Sequence, residues 1–139
     1  MTIATTLKEG LVVGMRSRPG NPYDGHTLNE ALEQVEILAN KRLGLAIVDK
    51  GYRGVQVDGV QILRSGQRRG VTRAMKAMIK RRSAIEPTIG HMKMDGWLAR
   101  NPLKGALGDA LHAVLCGAGH NLRLIINKLK IPCAQALSY

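Results

Sequence analysis

The sequence predicts a single α/β domain. Three observations carry that expectation: two β-rich runs close to the N-terminal end, short apolar runs that alternate with stretches of helical periodicity, and a long helical pattern in the last third. At 139 residues the chain can bury one core. No linker, internal repeat or low-complexity tract divides it.

The elements follow in order. "TIATT" and "LVVGMRS" are rich in β-branched residues and are joined by the turn-like "LKEG", so they predict a hairpin. "PGNPYDG" is turn chemistry throughout, and it places Asp24 in a turn. Thr27 and Glu30 have the spacing of a capping box, in which hydroxyl and carboxylate each satisfy a free backbone N–H, so a helix is expected to begin there. Leu28, Ala31, Leu32, Val35, Leu38 and Ala39 then recur at helical spacing and are expected to face the core. The run "LAIV" is short and apolar, like a buried strand, and it stops on Asp49.

An acid at the end of a buried strand is a candidate site residue, because α/β folds open their crevices at strand C-termini. The simpler explanation for Asp49 is a cap on the following turn. "VQIL" predicts a second strand, which leads through the basic loop "RSGQRRG" into "VTRAMKAMIKRRSAIEP", a helix-prone run with basic residues from Arg73 through Lys76 to Arg82. The tail "GALGDALHAVLCGAGHNLRLIINKLK" carries Leu107, Leu111, Val114, Ala118, Leu122, Ile125 and Leu129 on one stripe and is expected to be the main packing helix. His112, Cys116 and His120 fall four residues apart on a face of it. With apolar neighbours and no fourth ligand signalled, they are expected to pack rather than to bind metal. Cys116 and Cys133 lack CxxC spacing and read as small buried thiols.

Charge is concentrated in one region. Residues 50–104 hold 13 Lys and Arg against Asp58, Glu86 and Asp95, a balance of +10, whereas the rest of the chain has 8 basic and 7 acidic residues. A regional positive field is the footprint of a polyphosphate partner, and nucleic acid is the leading expectation. The simpler alternative is a solvated basic face. No run reaches the roughly 18 apolar residues of a membrane span, and no signal peptide is visible, so the expected address is cytoplasmic and without a membrane partner.

One acid stands inside that basic region: "RRSAIEPTIGHMK" places Glu86 there, followed at once by Pro87. The stretches "VDKGYRG" and "RRSAIEPTIGHMKMDGWLARNPLKGALGDALHAVLCGAGHNLRL", with "GNPYDGHTL" upstream, resemble the C-terminal part of the bacterial insertion-sequence DDE transposases. Asp49, Gly51 and Tyr52 fit the family's second catalytic Asp with its following Gly and aromatic. Arg82, Glu86 and Lys93 fit a signature of Tyr, two residues, Arg, three residues, Glu, six residues, Lys, with Ile79 at the Tyr position.

The resemblance implies an RNase H-like domain, a mixed sheet flanked by helices. It also implies DNA cleavage and strand transfer at insertion-sequence ends by two Mg²⁺ (or Mn²⁺) ions held on Asp49 and Glu86. Arg53, Arg68, Arg69, Arg73, Lys76, Arg82 and Lys93 are the expected DNA contacts, to element ends and target. Pro87 is expected in the first turn of a helix starting just after Glu86, or at a kink within one. Without the motif, Glu86 would read as an ion pair with Arg82 one turn earlier.

The family also uses a third acid, an Asp on the first and central strand of the sheet. The resemblance places that strand upstream of "TIATT", so the expected fold is incomplete, lacking its first central strand. The expected protein is a truncated or split transposase, inactive alone, whose partners include an upstream half and a second copy of the chain. The alternative is a non-catalytic basic DNA- or RNA-binding protein, for which Arg64 to Arg82 would suffice.

Overall fold

The structure, a computed structural model, describes residues 1–17, 20 and 24–136, with the backbone alone described for 24–26 and 131–136. Most of "PGNPYDG" and the side chain of Cys133 therefore lie outside the described residues.

The N-terminal hairpin is present. Strands β1 (Thr2–Thr5) and β2 (Val12–Arg16) pair antiparallel, with a register shift between Ala4 and Thr5. Thr6 closes the turn: its backbone N–H donates to the Leu11 carbonyl at 2.8 Å and its Oγ1 accepts from the Leu11 N–H at 3.1 Å. Helix α1 (Asp24–Ala39) begins three residues before the expected capping box, so Thr27 lies inside the helix and is buried, and Asp24 heads the helix instead of lying in a turn. The predicted core stripe holds for Leu28, Ala31 and Val35, whereas Leu32 is half-buried and both Leu38, at 65%, and Ala39 are exposed in the last turn of the helix. Asn40 ends the helix in the left-handed region at φ 47°, a conformation Asn tolerates better than most residues.

Strands β3 (Leu45–Val48) and β4 (Gln61–Arg64) pair in parallel, Leu45 with Gln61 through Val48 with Arg64. The mixed sheet thus exists as two halves, an antiparallel pair and a parallel pair, with no ladder between them among the described residues. The helix-prone basic run forms α2 (Arg73–Arg81), a 3₁₀ turn over Arg82–Ala84, and α3 (Ile85–Met94). Pro87 explains the interruption, because its ring excludes a normal helical turn above it and it offers no N–H to the Ser83 carbonyl. The proline therefore lies in the first turn of α3, which begins one residue before Glu86.

Helix α4 (Gly105–Ala136) is the long tail helix, but its packing face is not the predicted one. Ala113, Cys116 and Gly117 face β2, and Met15, Met92, Ala113 and Cys116 form a core joined by Ile3, Val12 and Leu98. A side chain at Gly117 would meet Val12 Cγ1 at 3.1 Å and Met15 Sδ at 3.3 Å, so the close approach of α4 to the strand requires a residue without a Cβ. On β2, Gly14 similarly admits Val35 of α1, placing the strand between the two helices. Leu107, Leu111, Val114, Leu122, Ile125 and Leu129 are 47–74% exposed on the other side of α4. Small residues won the inner face because they allow the helix axis to come close, which hydrophobicity alone does not weigh.

Candidate active site

Asp49 follows the last residue of β3. It caps a 3₁₀ turn over Lys50–Tyr52, its Oδ1 accepting the Lys50 N–H at 2.7 Å. Its second oxygen, Oδ2, lies 3.3 Å from Nη2 of Arg82, which reaches it from the 3₁₀ turn between α2 and α3. The Arg82–Glu86 pair that Glu86 would suggest without the motif is not formed among the described residues: Arg82 pairs with Asp49. The capping role and a place in a crevice are both realised at Asp49.

Glu86 sits in the first turn of α3, exposed. Asp49 and Glu86 line the same open crevice of about 390 Å³, together with Arg82, Ile79 and Lys80. Ile79 thus occupies a wall of that crevice at the position where the signature has Tyr. Lys50 folds its side chain over Gly66, in the loop after β4, and brings an ammonium to the rim. Sequence reasoning missed Lys50 and Lys80 as rim cations, although Lys50 adjoins Asp49 in the chain.

Lys93 lies seven residues after Glu86 on the same helix, and two turns put it on the same face. Arg68, Arg69, Arg73 and Lys76 are exposed on the loop after β4 and on the first turns of α2, and Arg53 is exposed after the 3₁₀ turn at Asp49. None of these five lines the crevice.

Of the tempting trio on α4, Cys116 Sγ lies 3.7 Å from His112 Nε2, while His120 turns to another element. His112 Nε2 contacts the Trp97 carbonyl at 3.2 Å, the Cys116 thiol donates to the Gly96 carbonyl at 3.2 Å, and His120 Nε2 contacts the Gly10 carbonyl at 3.3 Å. Burial pushes the Cys116 thiol up from its ordinary range, opposed by the nearby Arg123 cation. Among the described residues no cluster of three or more His, Cys, Asp or Glu side chains could hold a metal ion. The carboxylate pair at the crevice nevertheless suits a hard cation, since Mg²⁺ commonly takes one or two carboxylates and completes its shell with waters and substrate phosphates.

A family model described as the transposase DDE domain matches residues 1–122. The chain belongs to the DDE transposase family. Comparisons with curated proteins and with solved structures returned no match. The match covers every residue of the crevice, so Asp49, Arg82 and Glu86 all fall within the transposase domain. DNA and divalent metal are the general partners of this family, and no helix among the described residues is long and apolar enough to cross a membrane.

Proposed function

We infer that the chain is the C-terminal part of a bacterial insertion-sequence transposase, in which Asp49 and Glu86 hold catalytic Mg²⁺ or Mn²⁺. The observation that supports this most is the meeting of Asp49, Arg82 and Glu86 at one crevice, from three separate elements. When bound, such ions would activate a water or a 3′-OH and stabilise the oxygen leaving a phosphodiester, with Asp49 and Glu86 as their carboxylate ligands. In this reading Arg82, Lys93 and Lys50 grip the backbone phosphates beside the scissile bond. Arg53, Arg68, Arg69, Arg73 and Lys76 hold the flanking duplex, fixing its register without reading its bases.

Two carboxylates line the crevice, whereas the family triad has three. The first Asp is then supplied by an upstream transposase half, carried on a strand that fits between β1 and β3, each of which pairs on one side only among the described residues. The rival reading, a non-catalytic DNA- or RNA-binding protein in the cytoplasm, is favoured by one fact: both oxygens of Asp49 are engaged by the chain itself.

Mn²⁺ titration followed by electron paramagnetic resonance separates the two. A transposase site binds Mn²⁺ and loses it in Asp49→Asn and in Glu86→Gln, whereas a plain binder shows no difference between these variants and the parent. Cleavage of a duplex carrying an element end is expected only when the upstream polypeptide is added. Robust cleavage by the chain alone, abolished by Glu86→Gln, would show that the third acid lies within it, and Asp24 is the next position to substitute.

A further inference from the structure

Trp97 is the only tryptophan of the chain, and its backbone lies in the left-handed region at φ 62°. Asn40 tolerates such a conformation through its short polar side chain, but a bulky aromatic does not, so groups outside the residue must hold it there. Helix α4 supplies them. From positions 112, 116 and 123, which share one side of the helix, three side chains take three successive carbonyls. Arg123 Nη2 donates to the Asp95 carbonyl at 3.1 Å, the Cys116 thiol donates to that of Gly96 at 3.2 Å, and His112 Nε2 contacts that of Trp97 at 3.2 Å. The Leu98 N–H then closes the turn on the carbonyl of Met92, a residue only 1% exposed.

The strain does not serve burial. The indole is 63% exposed, and it borders a cleft of about 240 Å³ together with Pro102, His112, Leu115 and Arg123. An unfavourable backbone conformation that is held in place by its surroundings, and that leaves a large side chain in solvent, points to a contact with a ligand. The neighbours define that ligand's chemistry. Lys93, Arg100, Lys104 and Arg123 are all exposed, and the one carboxylate on the turn, Asp95, is engaged by His91 at 3.1 Å. A flat aromatic face among cations suits a ring joined to phosphates, because the ring stacks on the indole while the cations neutralise the backbone.

We propose that Trp97 is a stacking platform for an unpaired base of single-stranded DNA, with Arg100 and Arg123 taking the flanking phosphates. A paired base in a duplex hides both faces in the stack, so only an unpaired nucleotide offers the indole a surface. The Arg100 N–H donates to the Trp97 carbonyl at 2.8 Å, which fixes the two residues relative to each other. The Arg123 guanidinium carries five N–H groups, and its contact with Asp95 uses one of them. The cleft lies beyond the C-terminal end of α3, whereas Glu86 stands at the start of that helix. It shares no lining residue with the Asp49–Glu86 crevice, so the inference stands apart from the metal site and is tested without metal.

As the only indole, Trp97 reports its own occupancy. The test is a fluorescence titration of the full chain, in buffer containing a chelator, with an oligothymidylate, an abasic strand of equal length and a blunt duplex. The oligothymidylate is expected to quench the tryptophan emission, whereas the abasic strand and the duplex bind through charge and leave it nearly unchanged. Trp97→Gly removes the ring and accepts the positive φ, so its thermal midpoint should be no lower than the parent's. Its affinity for a labelled oligothymidylate, read by anisotropy, should nevertheless fall about 5- to 150-fold, with duplex affinity unchanged. Trp97→Phe should keep most of the single-strand affinity, and Arg100→Gln should lower the logarithmic salt slope on single strands by about 0.7, the share of one phosphate. Equal quenching by all three nucleic acids would overturn the proposal, as would a Trp97→Gly protein that binds the oligothymidylate as tightly as the parent. The comparison of the three nucleic acids uses the parent chain, so it decides the matter whatever a variant does to folding.

Discussion

The Arg82 guanidinium is mostly covered, at 19% side-chain exposure, while the Asp49 carboxylate it touches is 55% exposed. With its carboxylate half open to water the ion pair itself is worth little, about 0–1 kcal/mol, so Asp49→Asn should shift the urea midpoint only slightly, whereas Arg82→Ala should lower it further by also removing a mostly covered side chain. If the crevice holds divalent metal, the same substitution should tighten Mn²⁺ binding by removing the cation that competes for Asp49, while weakening binding to duplex DNA. Unchanged affinity for both would show that Arg82 serves only packing. Cys116 offers a second measurement. Its raised thiol pKa means less thiolate at pH 8 than a free cysteine has, so iodoacetamide should modify it slowly in a Cys133→Ser background, with the rate rising at higher pH than for a free thiol. Arg123→Ala should move that profile further up, since the Arg123 cation favours the thiolate. Motif spacing could single out Asp49 and Glu86 as candidates because such spacing is local. The Arg82–Asp49 pair was not, because it joins residues that only the folded chain brings together.

Asn121 works at the scale of whole elements. From α4 its side-chain amide donates to the Val12 carbonyl at 2.8 Å and accepts the Val12 N–H at 2.7 Å, so one residue completes the hydrogen bonding of β2 as a neighbouring strand would. Asn121→Ala leaves two part-buried backbone groups unpaired and should cost about 1–3 kcal/mol for each group that water does not reach, read as a lower midpoint in chemical denaturation. Asn121→Asp keeps the acceptor and loses the donor, and should be destabilising as well. A midpoint unmoved in both variants would mean that water replaces the amide without penalty. The hairpin, α1, both parallel strands and the broken basic helix were all legible from turn residues, β-branching and periodicity. The orientation of α4 was not. Periodicity reports that a helix has an apolar stripe, but this helix has two usable faces, and the choice fell to Gly117 and its approach to Val12 and Met15.

Across the whole molecule, the surplus of +10 on residues 50–104 governs behaviour at a distance. Binding to duplex DNA should weaken steeply with salt. Neutralising Arg68, Arg69 and Arg73 together should flatten the logarithmic slope by up to about three units, at roughly 0.9 for each phosphate that the protein then leaves to its counterions. A slope equal to the parent's would mark these side chains as solvated surface. Charge of this kind is legible directly, since it needs no knowledge of contacts, whereas the separation of the sheet into two halves depends on which strands find partners. The bonds between Val12 and Asn121 also have a consequence in time. They join positions 109 residues apart, and the hairpin leaves the ribosome long before the helix that completes it. At about 5–20 residues per second, β2 waits roughly 5–20 s for its last partner during synthesis, with Val12 bonded only to water or to whatever binds nascent chains. The order of translation thus sets the order of assembly: the hairpin is made before the helix that secures it.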